Sequence, residues 1–289
     1  MKKTVLFAAA IVAASAVSAQ TGEITSNRGE NWLSQDGDWG LTIDAQPFLQ
    51  YVGNLFNGNM NNGGPSFDFP NSYWAIQGKK LVDANTAYRG KLRIGFGSTK
   101  VTDLVNATIQ PDPAPLAPVT VENERKDNYF ALVLGGGLEK RIGSSRVVGV
   151  YGGEANIMLM SSKTAWTYGN ALNADNPGVG DGEEPGTGSF GNGRTTERKN
   201  GSTFGFGLNA FAGVEWFCAP KISLGAEYTW GLMLSSQGYG ERSEERWNPA
   251  LGTSGGLETR TIESGPKGSA FGLDTGISGA SINLNFYFQ

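Results

Sequence analysis

The chain contains no histidine and a single cysteine. Without histidine, neither a Ser-His-Asp nor a Cys-His catalytic unit can form, and the common histidine-based zinc sites are excluded as well. The lone Cys218 allows no internal disulfide and no cysteine-cluster metal site. These absences predict a protein that is not an enzyme and that holds neither a metal nor a cofactor.

Basic charge is also scarce, with 23 Lys and Arg residues against 27 Asp and Glu residues and a formal net charge of -4. Nucleic-acid binding requires clustered positive charge, so this balance argues against it. Beyond the N-terminal segment the sequence has no run of 18 or more apolar residues, which excludes a transmembrane helix there.

The N-terminal segment is typical of a secretory signal peptide. Lys2 and Lys3 precede an apolar stretch, and the small residues Val17-Ser18-Ala19 precede Gln20. The alternative, a membrane-anchoring helix, fits less well because the apolar stretch is shorter than the ~20 residues needed to cross a bilayer. We therefore assign 1–19 as the signal peptide and expect an exported chain that begins at Gln20.

Glycine is abundant, with 43 residues or about twice its usual share. In the exported chain, apolar and polar residues alternate with a period of two, the pattern of strands with one apolar face. Most of these segments have about the length of a tilted membrane-spanning strand. They cover 41–51, 72–81, 88–96, 130–139, 147–159, 204–216, 222–232 and 280–288.

The connections between these segments alternate strictly in length. The short ones are 82–87, 142–145 and 218–220; the long ones are 53–71, 98–126, 161–202 and 235–268. This alternation is typical of outer-membrane barrels, with short periplasmic turns and long external loops. We predict an all-β fold, an up-and-down antiparallel transmembrane β-barrel of eight strands over 39–289. Residues 20–38 are then an N-terminal periplasmic extension.

Two alternatives to this architecture stay open. Ten strands result if 101–109 or 259–262 pair as additional strands. A soluble lipocalin-like barrel would have an apolar interior and a polar exterior. That is opposite to the expected arrangement, in which Glu215 faces the interior and Trp216 faces outward. A phase change is expected near 276–279, because Phe271 and Leu273 are out of step with the last strand.

If the apolar face meets lipid, the polar face of each strand points into a narrow lumen. Eight strands leave room there for side chains only, so opposite charges are expected to pair. These residues could form a gated pore or proton path, or a static salt-bridged plug, which we favour. Hydrolysis catalysed by a pair of the inner glutamate carboxylates is also formally possible. The predicted lumen network consists of Asp44, Lys79, Arg89, Lys91, Arg93, Glu139, Glu154, Glu215 and Glu227.

The segments 212–228 and 282–288 resemble a hairpin and the terminal strand of small outer-membrane barrels. The overall plan is similar to the OmpA membrane domain and the OmpX-like families. This resemblance implies location in the cell outer membrane, contact with its lipid and lipopolysaccharide, and recognition of the C-terminal strand by the barrel-assembly machinery. It further implies a surface scaffold or adhesion protein; the alternative is a porin-like pore for small solutes.

The long connections are the remaining candidates for a surface ligand. The connection 161–202 is rich in glycine, proline and asparagine, so we expect it to be a mobile loop. Its acidic residues Asp181, Glu183 and Glu184 could contact a divalent cation or a partner. The connection 235–268 carries mixed charges, including Glu244 and Arg246.

Overall fold

The fold is known from a computed structural model of the chain. The structure describes residues 24–45, 76–111, 116–143, 145–273 and 279–289. The predicted signal segment 1–19 and the predicted connection 53–71 lie outside these residues. In the described part, no helix is long and apolar enough to cross a membrane.

The described residues form twelve strands and one short 3₁₀ helix, Gly188–Phe190. The strands are β1 (Trp39–Asp44), β2 (Ile76–Asp83), β3 (Thr86–Asn106), β4 (Thr120–Ile142), β5 (Val147–Thr167), β6 (Arg194–Lys199), β7 (Thr203–Ala219), β8 (Ile222–Gln237), β9 (Gly240–Asn248), β10 (Gly256–Ser264), β11 (Gly268–Leu273) and β12 (Gly279–Phe288). All pairings are antiparallel, which confirms the predicted all-β, antiparallel class.

The sheet closes on itself. Neighbouring pairs run from β1 through β2, β3, β4, β5, β7 and β8 to β12, and β12 pairs with β1, with Trp39 opposite Phe288. Such closure leaves no unpaired edge at the level of the ring. A further small sheet of β6, β9 and β10 extends from β5 beyond the ring.

Alternation of side chains gives the ring two chemically different faces. On β7, Phe204, Leu208 and Trp216 point outward and are about half exposed, whereas the intervening Asn209 and Glu215 point inward and are buried. The same phase holds on β3, β4, β5 and β8. The arrangement is therefore apolar outside and polar inside, opposite to that of a lipocalin-like barrel.

Several strands are longer than the alternation predicts. β3 continues to Asn106 and β4 begins at Thr120, so much of the predicted loop 98–126 is a paired hairpin. Polar residues on both faces hide this extension, because alternation is lost where a sheet is solvated on both sides. Residues 101–106 thus lengthen β3, and 259–262 lie in β10. Over the described residues the sheet therefore contains twelve strands, including those beyond the ring, compared with the eight strands, or ten as the alternative, predicted for a barrel.

The predicted phase change before the last strand occurs between β11 and β12. Leu273 pairs with Leu232, and Gly279 pairs with Thr229. Six residue positions from β11 to β12 thus correspond to three positions along β8, and this odd difference changes which residues face inward. Both β11 and β12 pair with the same strand, β8, and form one interrupted strand of the ring.

The segment 24–38 packs against the end of the ring that carries the short turns. Leu33 is buried in an apolar cluster that includes Leu81, Val148 and Phe217. Lys221, in the turn between β7 and β8, donates its backbone N–H to the carbonyl of Trp32. The segment predicted as a periplasmic extension is thus folded onto the ring over its described residues.

Lys221 has a positive φ of 60°, a conformation that is unfavourable for a residue with a side chain. Its ammonium group forms an ion pair with Asp38, whose side chain is fully buried. Its carbonyl accepts the backbone N–H of Tyr287 in β12. These contacts hold the strained turn in place and connect the segment 24–38 to the last strand.

Candidate functional site

The predicted charged residues converge inside the ring. Seven of them are at most 8% exposed and form ion pairs: Lys79, Arg89, Lys91, Glu139, Glu154, Glu215 and Glu227. Arg93 lies on the inner face of β3, half-buried and with contacts of its own. Asp44 is in β1 opposite Asn283, and its side chain lies outside the described part of the structure.

Glu215 on β7 is the centre of the largest group of contacts. Its carboxylate accepts hydrogen bonds from Lys79 Nζ on β2 at 2.6 Å and from Arg141 Nη2 on β4 at 2.8 Å. The phenol of Tyr287 on β12 donates to it at 2.7 Å, and the hydroxyl of Ser223 on β8 donates at 3.3 Å. Five strands therefore meet at one buried carboxylate.

Glu139 on β4 completes this cluster. Its carboxylate lies 3.0 Å from Lys79 Nζ and 2.6 Å from Arg141 Nη1. Each of the two cations thus contacts both Glu139 and Glu215, and each carboxylate contacts both cations. A charge this deeply buried is strongly unfavourable unless it is paired, and here the pairing is reciprocal.

A second set of pairs lies further into the ring. Arg89 on β3 forms a bidentate pair with Glu227 on β8, with nitrogen–oxygen distances of 2.9 and 3.1 Å. The guanidinium also lies 3.8 Å from the centre of the Phe211 ring. Lys91 Nζ is 2.7 Å from Glu154 Oε1.

The interior ion pairs balance in charge. The buried cations are Lys79, Arg89, Lys91 and Arg141, and the buried anions are Glu139, Glu154, Glu215 and Glu227. Both Lys79 to Glu215 and Arg89 to Glu227 join strands that are not neighbours in the ring. Side chains consequently meet across the interior at these two levels.

Sequence reasoning missed two members of this site. Arg141 was omitted because the predicted fourth strand ended at Glu139, although continuing the alternation by two residues would have included it. Tyr287 fell on the inner side of the last strand, but a tyrosine among apolar neighbours gives no sign of pairing with a carboxylate. Both contact Glu215 directly.

A separate cluster holds the connection between β5 and β6 in a defined conformation. Arg194 pairs with Glu183 at 2.5 Å and with Glu245 at 2.8 Å, and it donates to the carbonyl of Asn170 at 2.7 Å. Its guanidinium lies 4.4 Å from the centre of the Tyr168 ring. The sequence predicts a mobile loop over 161–202; residues 161–167 belong instead to β5 and 194–199 to β6, and a buried arginine contacts both parts of the remaining segment 168–193.

Two acidic residues of this segment, Glu183 and Glu184, form ion pairs with arginines of the protein itself. Glu184 contacts Arg198 at 2.5 Å and Arg242 at 3.5 Å. Asp181 is exposed. The described residues contain no group of three or more acidic or cysteine side chains placed to bind a metal ion.

The middle of the segment packs against β9 and β10. The buried carboxylate of Glu244 accepts hydrogen bonds from Thr187 at 2.7 Å and from Arg260 at 2.8 Å. Phe190 is buried, with the guanidinium of Arg246 4.4 Å and that of Arg260 4.1 Å from its ring centre. These contacts join the segment to the small sheet beyond the ring.

Burial raises the pKa of the Tyr168 phenol from its ordinary value of 10.0 to about 12. The phenol donates a hydrogen bond to the carbonyl of Thr195 at 2.5 Å and accepts one from the backbone N–H of Glu184 at 3.2 Å. On the exposed side of the sheet, a hydrogen bond from Arg246 lowers the pKa of Glu258.

The fold and the site together define an all-β protein with a closed antiparallel sheet and an interior in which four buried cations pair with four buried carboxylates. Comparisons with protein-family models, curated proteins and solved structures found no match to this chain.

Proposed function

We propose that this chain is a non-enzymatic integral protein of the bacterial outer membrane that acts as a surface scaffold or contact protein. In this proposal, β1, β2, β3, β4, β5, β7, β8 and the interrupted strand of β11 and β12 form an eight-stranded transmembrane barrel. Lipid requires every backbone polar group to be paired within the protein, and a closed sheet meets that requirement.

The observation that carries the proposal is the contrast between the two faces of the ring. Large apolar side chains are exposed on the outer face, among them Ile94, Phe96, Leu208 and Trp230, whereas charged side chains are buried inside. A soluble protein rarely exposes so large a continuous apolar surface. Outer-membrane lipid and lipopolysaccharide are the proposed partners of this face, and β12 the strand read by the barrel-assembly machinery.

The contact role is proposed for the structures beyond the ring. The segment 168–193 and the sheet of β6, β9 and β10 lie at the end away from the short turns, which is the external end in this proposal. Their buried arginine–carboxylate pairs would present a surface of fixed shape to a ligand.

Fractionation of cells that produce the full chain tests the proposal. We expect the protein in the outer-membrane fraction, soluble only in detergent, and migrating differently on a gel before and after boiling. Recovery from the periplasm without detergent would contradict it. Replacement of the outward Leu208 by Arg should impair membrane assembly, whereas the matched outward Ser161→Arg, near the polar end of β5, should not.

A small-solute pore is the second candidate. It is favoured by buried polar atoms without a hydrogen-bond partner, namely the side-chain amide of Asn156, Asn209 Nδ2 and Glu154 Oε2. The ion pairs that cross the ring argue against it. Conductance across planar bilayers distinguishes the two: the plugged interior predicts no steady openings, and regular ion-selective openings would support the pore.

A further inference from the structure

The three methionines of the described residues all lie on the inner face of the ring. Met158 and Met160 lie on the inner face of β5, and Met233 lies on that of β8. Glu154 and Asn156 on the same strand are buried and point inward. Because the pairing of β5 with β7 has no register break, Met158 and Met160 lie on the same inner face. Met158 lies about 13 Å along the strand from Glu154, toward the end with the long connections.

A glycine brings two of these methionines together. Gly205 on β7 lies between β5 and β8, and a Cβ there would be 2.9 Å from Met233 Cε and 3.1 Å from Met158 Cε. Because Gly205 has no side chain, both methyl groups can reach over the same strand. They form an apolar floor on the inner face of the ring.

The walls above this floor are apolar and open. Met160 is 42% exposed and Tyr129 is 56% exposed, although both lie on the inner face of the ring. A Cβ at Gly97 would be 2.4 Å from the Tyr129 ring, so that ring lies close against the glycine backbone of β3. Exposed apolar groups are expected on the outer face but are unusual on the polar inner face.

The cup formed by Tyr129, Ala131, Met158, Met160 and Met233 has mainly small, uncharged residues directly opposite its members. The residues directly opposite these five on neighbouring strands are glycines, Ser162, Thr203, Val133 or other members of the cup. Charged inner-face residues also lie nearby: Arg93 is opposite Val133, and Asp127 is two residues from Tyr129 on β4. Methionine side chains are flexible and polarizable, and they adapt to apolar and aromatic ligands of varied shape.

We infer that this cup is a binding site for a small aromatic or apolar molecule. The inference goes beyond surface contact and requires only the closed ring and its inner face. Its failure would therefore leave the membrane proposal intact, and failure of membrane insertion would leave the cup to be tested.

Methyl NMR spectroscopy tests the site in the full exported chain, solubilised in detergent and labelled with ¹³C at Met ε and Ile δ1 methyls. Indole, an uncharged aromatic molecule, is the probe. We expect the signals of Met158, Met160 and Met233 to shift along a saturating curve. The outward-facing Ile94 and Ile157 report indole dissolved in the detergent and should shift only linearly. Methionine shifts that are equally linear would overturn the inference.

Two substitutions distinguish a cup from general contact with indole. Gly205→Val should push the methyl groups of Met158 and Met233 into the cup and weaken the Kd by at least about tenfold. At the more exposed position, Met160→Gln should weaken binding, whereas the matched Met160→Leu should retain it because the surface stays apolar. Heat-modifiable gel mobility verifies that each variant is folded. Unchanged affinity in both Gly205→Val and Met160→Gln would contradict the site.

Discussion

Lys79 Nζ on β2 lies 2.6 Å from Glu215 Oε1 on β7, and this buried contact joins two strands that are not neighbours in the ring. The Glu215 carboxylate also accepts hydrogen bonds from Arg141, Tyr287 and Ser223. The loss of its charge therefore affects several strands at once. The interior is accordingly held by a carboxylate with many partners.

Glu215→Gln should therefore lower the free energy of unfolding by about 3–5 kcal/mol, because Lys79 and Arg141 lose one of their two carboxylates in a buried site. Urea unfolding followed by tryptophan fluorescence measures the loss. The half-buried Glu124, which pairs with the exposed Lys100, provides the control, since Glu124→Gln should change stability by less than about 1 kcal/mol. Equal effects of the two substitutions would contradict the buried cluster.

The Arg89–Glu227 pair allows a paired replacement. Either Arg89→Met or Glu227→Leu alone leaves a buried partner charge without its main counter-ion. The double variant removes both charges and should be more stable than at least one of the single variants. Unfolding of all four proteins gives the coupling energy, and strictly additive losses would show that the two side chains act independently.

Much of the ring could be predicted from sequence because one face of each strand is apolar and the other is polar. That alternation places Trp216 outward and Glu215 inward without reference to any contact. It cannot identify which cation meets which carboxylate, since partners such as Lys79 and Glu215 are 136 residues apart. The pairing depends on closure of the ring, which local sequence does not encode.

The structures beyond the ring could not be predicted for a different reason. β6 and β9 are polar on both faces, so no alternation distinguishes them from loops. Their conformation depends on Arg194 and Glu244, whose partners come from distant parts of the chain. Turn-forming residues in 168–193 correctly indicate changes of direction but say nothing of these buried pairs.

Arg194→Met should release the segment 168–193, because Glu183 and Glu245 both lose their cation. Limited digestion with proteinase K followed by mass spectrometry should find cleavage within 168–193 in the variant and protection in the parent chain. The exposed Lys126→Met serves as the matched loss of one positive charge. Equal protection of all three proteins would contradict the role given to Arg194.

The same segment should loosen at high pH. The pKa of Tyr168 is raised from 10.0 to about 12, so the folded state binds this proton more tightly than the unfolded state. The stability contributed by this group is complete below pH 10 and is lost as pH rises through about 12. Absorbance at 295 nm, compared between the parent chain and Tyr168→Phe, should resolve a phenol that titrates near 12; a difference centred at 10 would contradict its burial.

The contact between Lys221 and Asp38 predicts that the segment 24–38 stabilises the ring. Asp38→Asn removes the counter-charge of Lys221 and should lower the Tm, since the strained turn loses one of its supports. In a Lys221→Gly background the same substitution should have a smaller effect, because the partner is absent and glycine tolerates the positive φ. Equal Tm losses in both backgrounds would show that the pair does not link the turn to the segment.

The central claim is that the ring crosses the outer membrane with its long connections outside and its short turns inside. Single cysteines at Thr253 in the turn between β9 and β10 and at Ser145 in the turn between β4 and β5, each in a Cys218→Ser background, test it directly, as both positions are exposed. In intact cells a membrane-impermeant maleimide should label Thr253→Cys and leave Ser145→Cys unlabelled until the outer membrane is permeabilised. Labelling of both in intact cells, or of Ser145→Cys alone, would contradict the account.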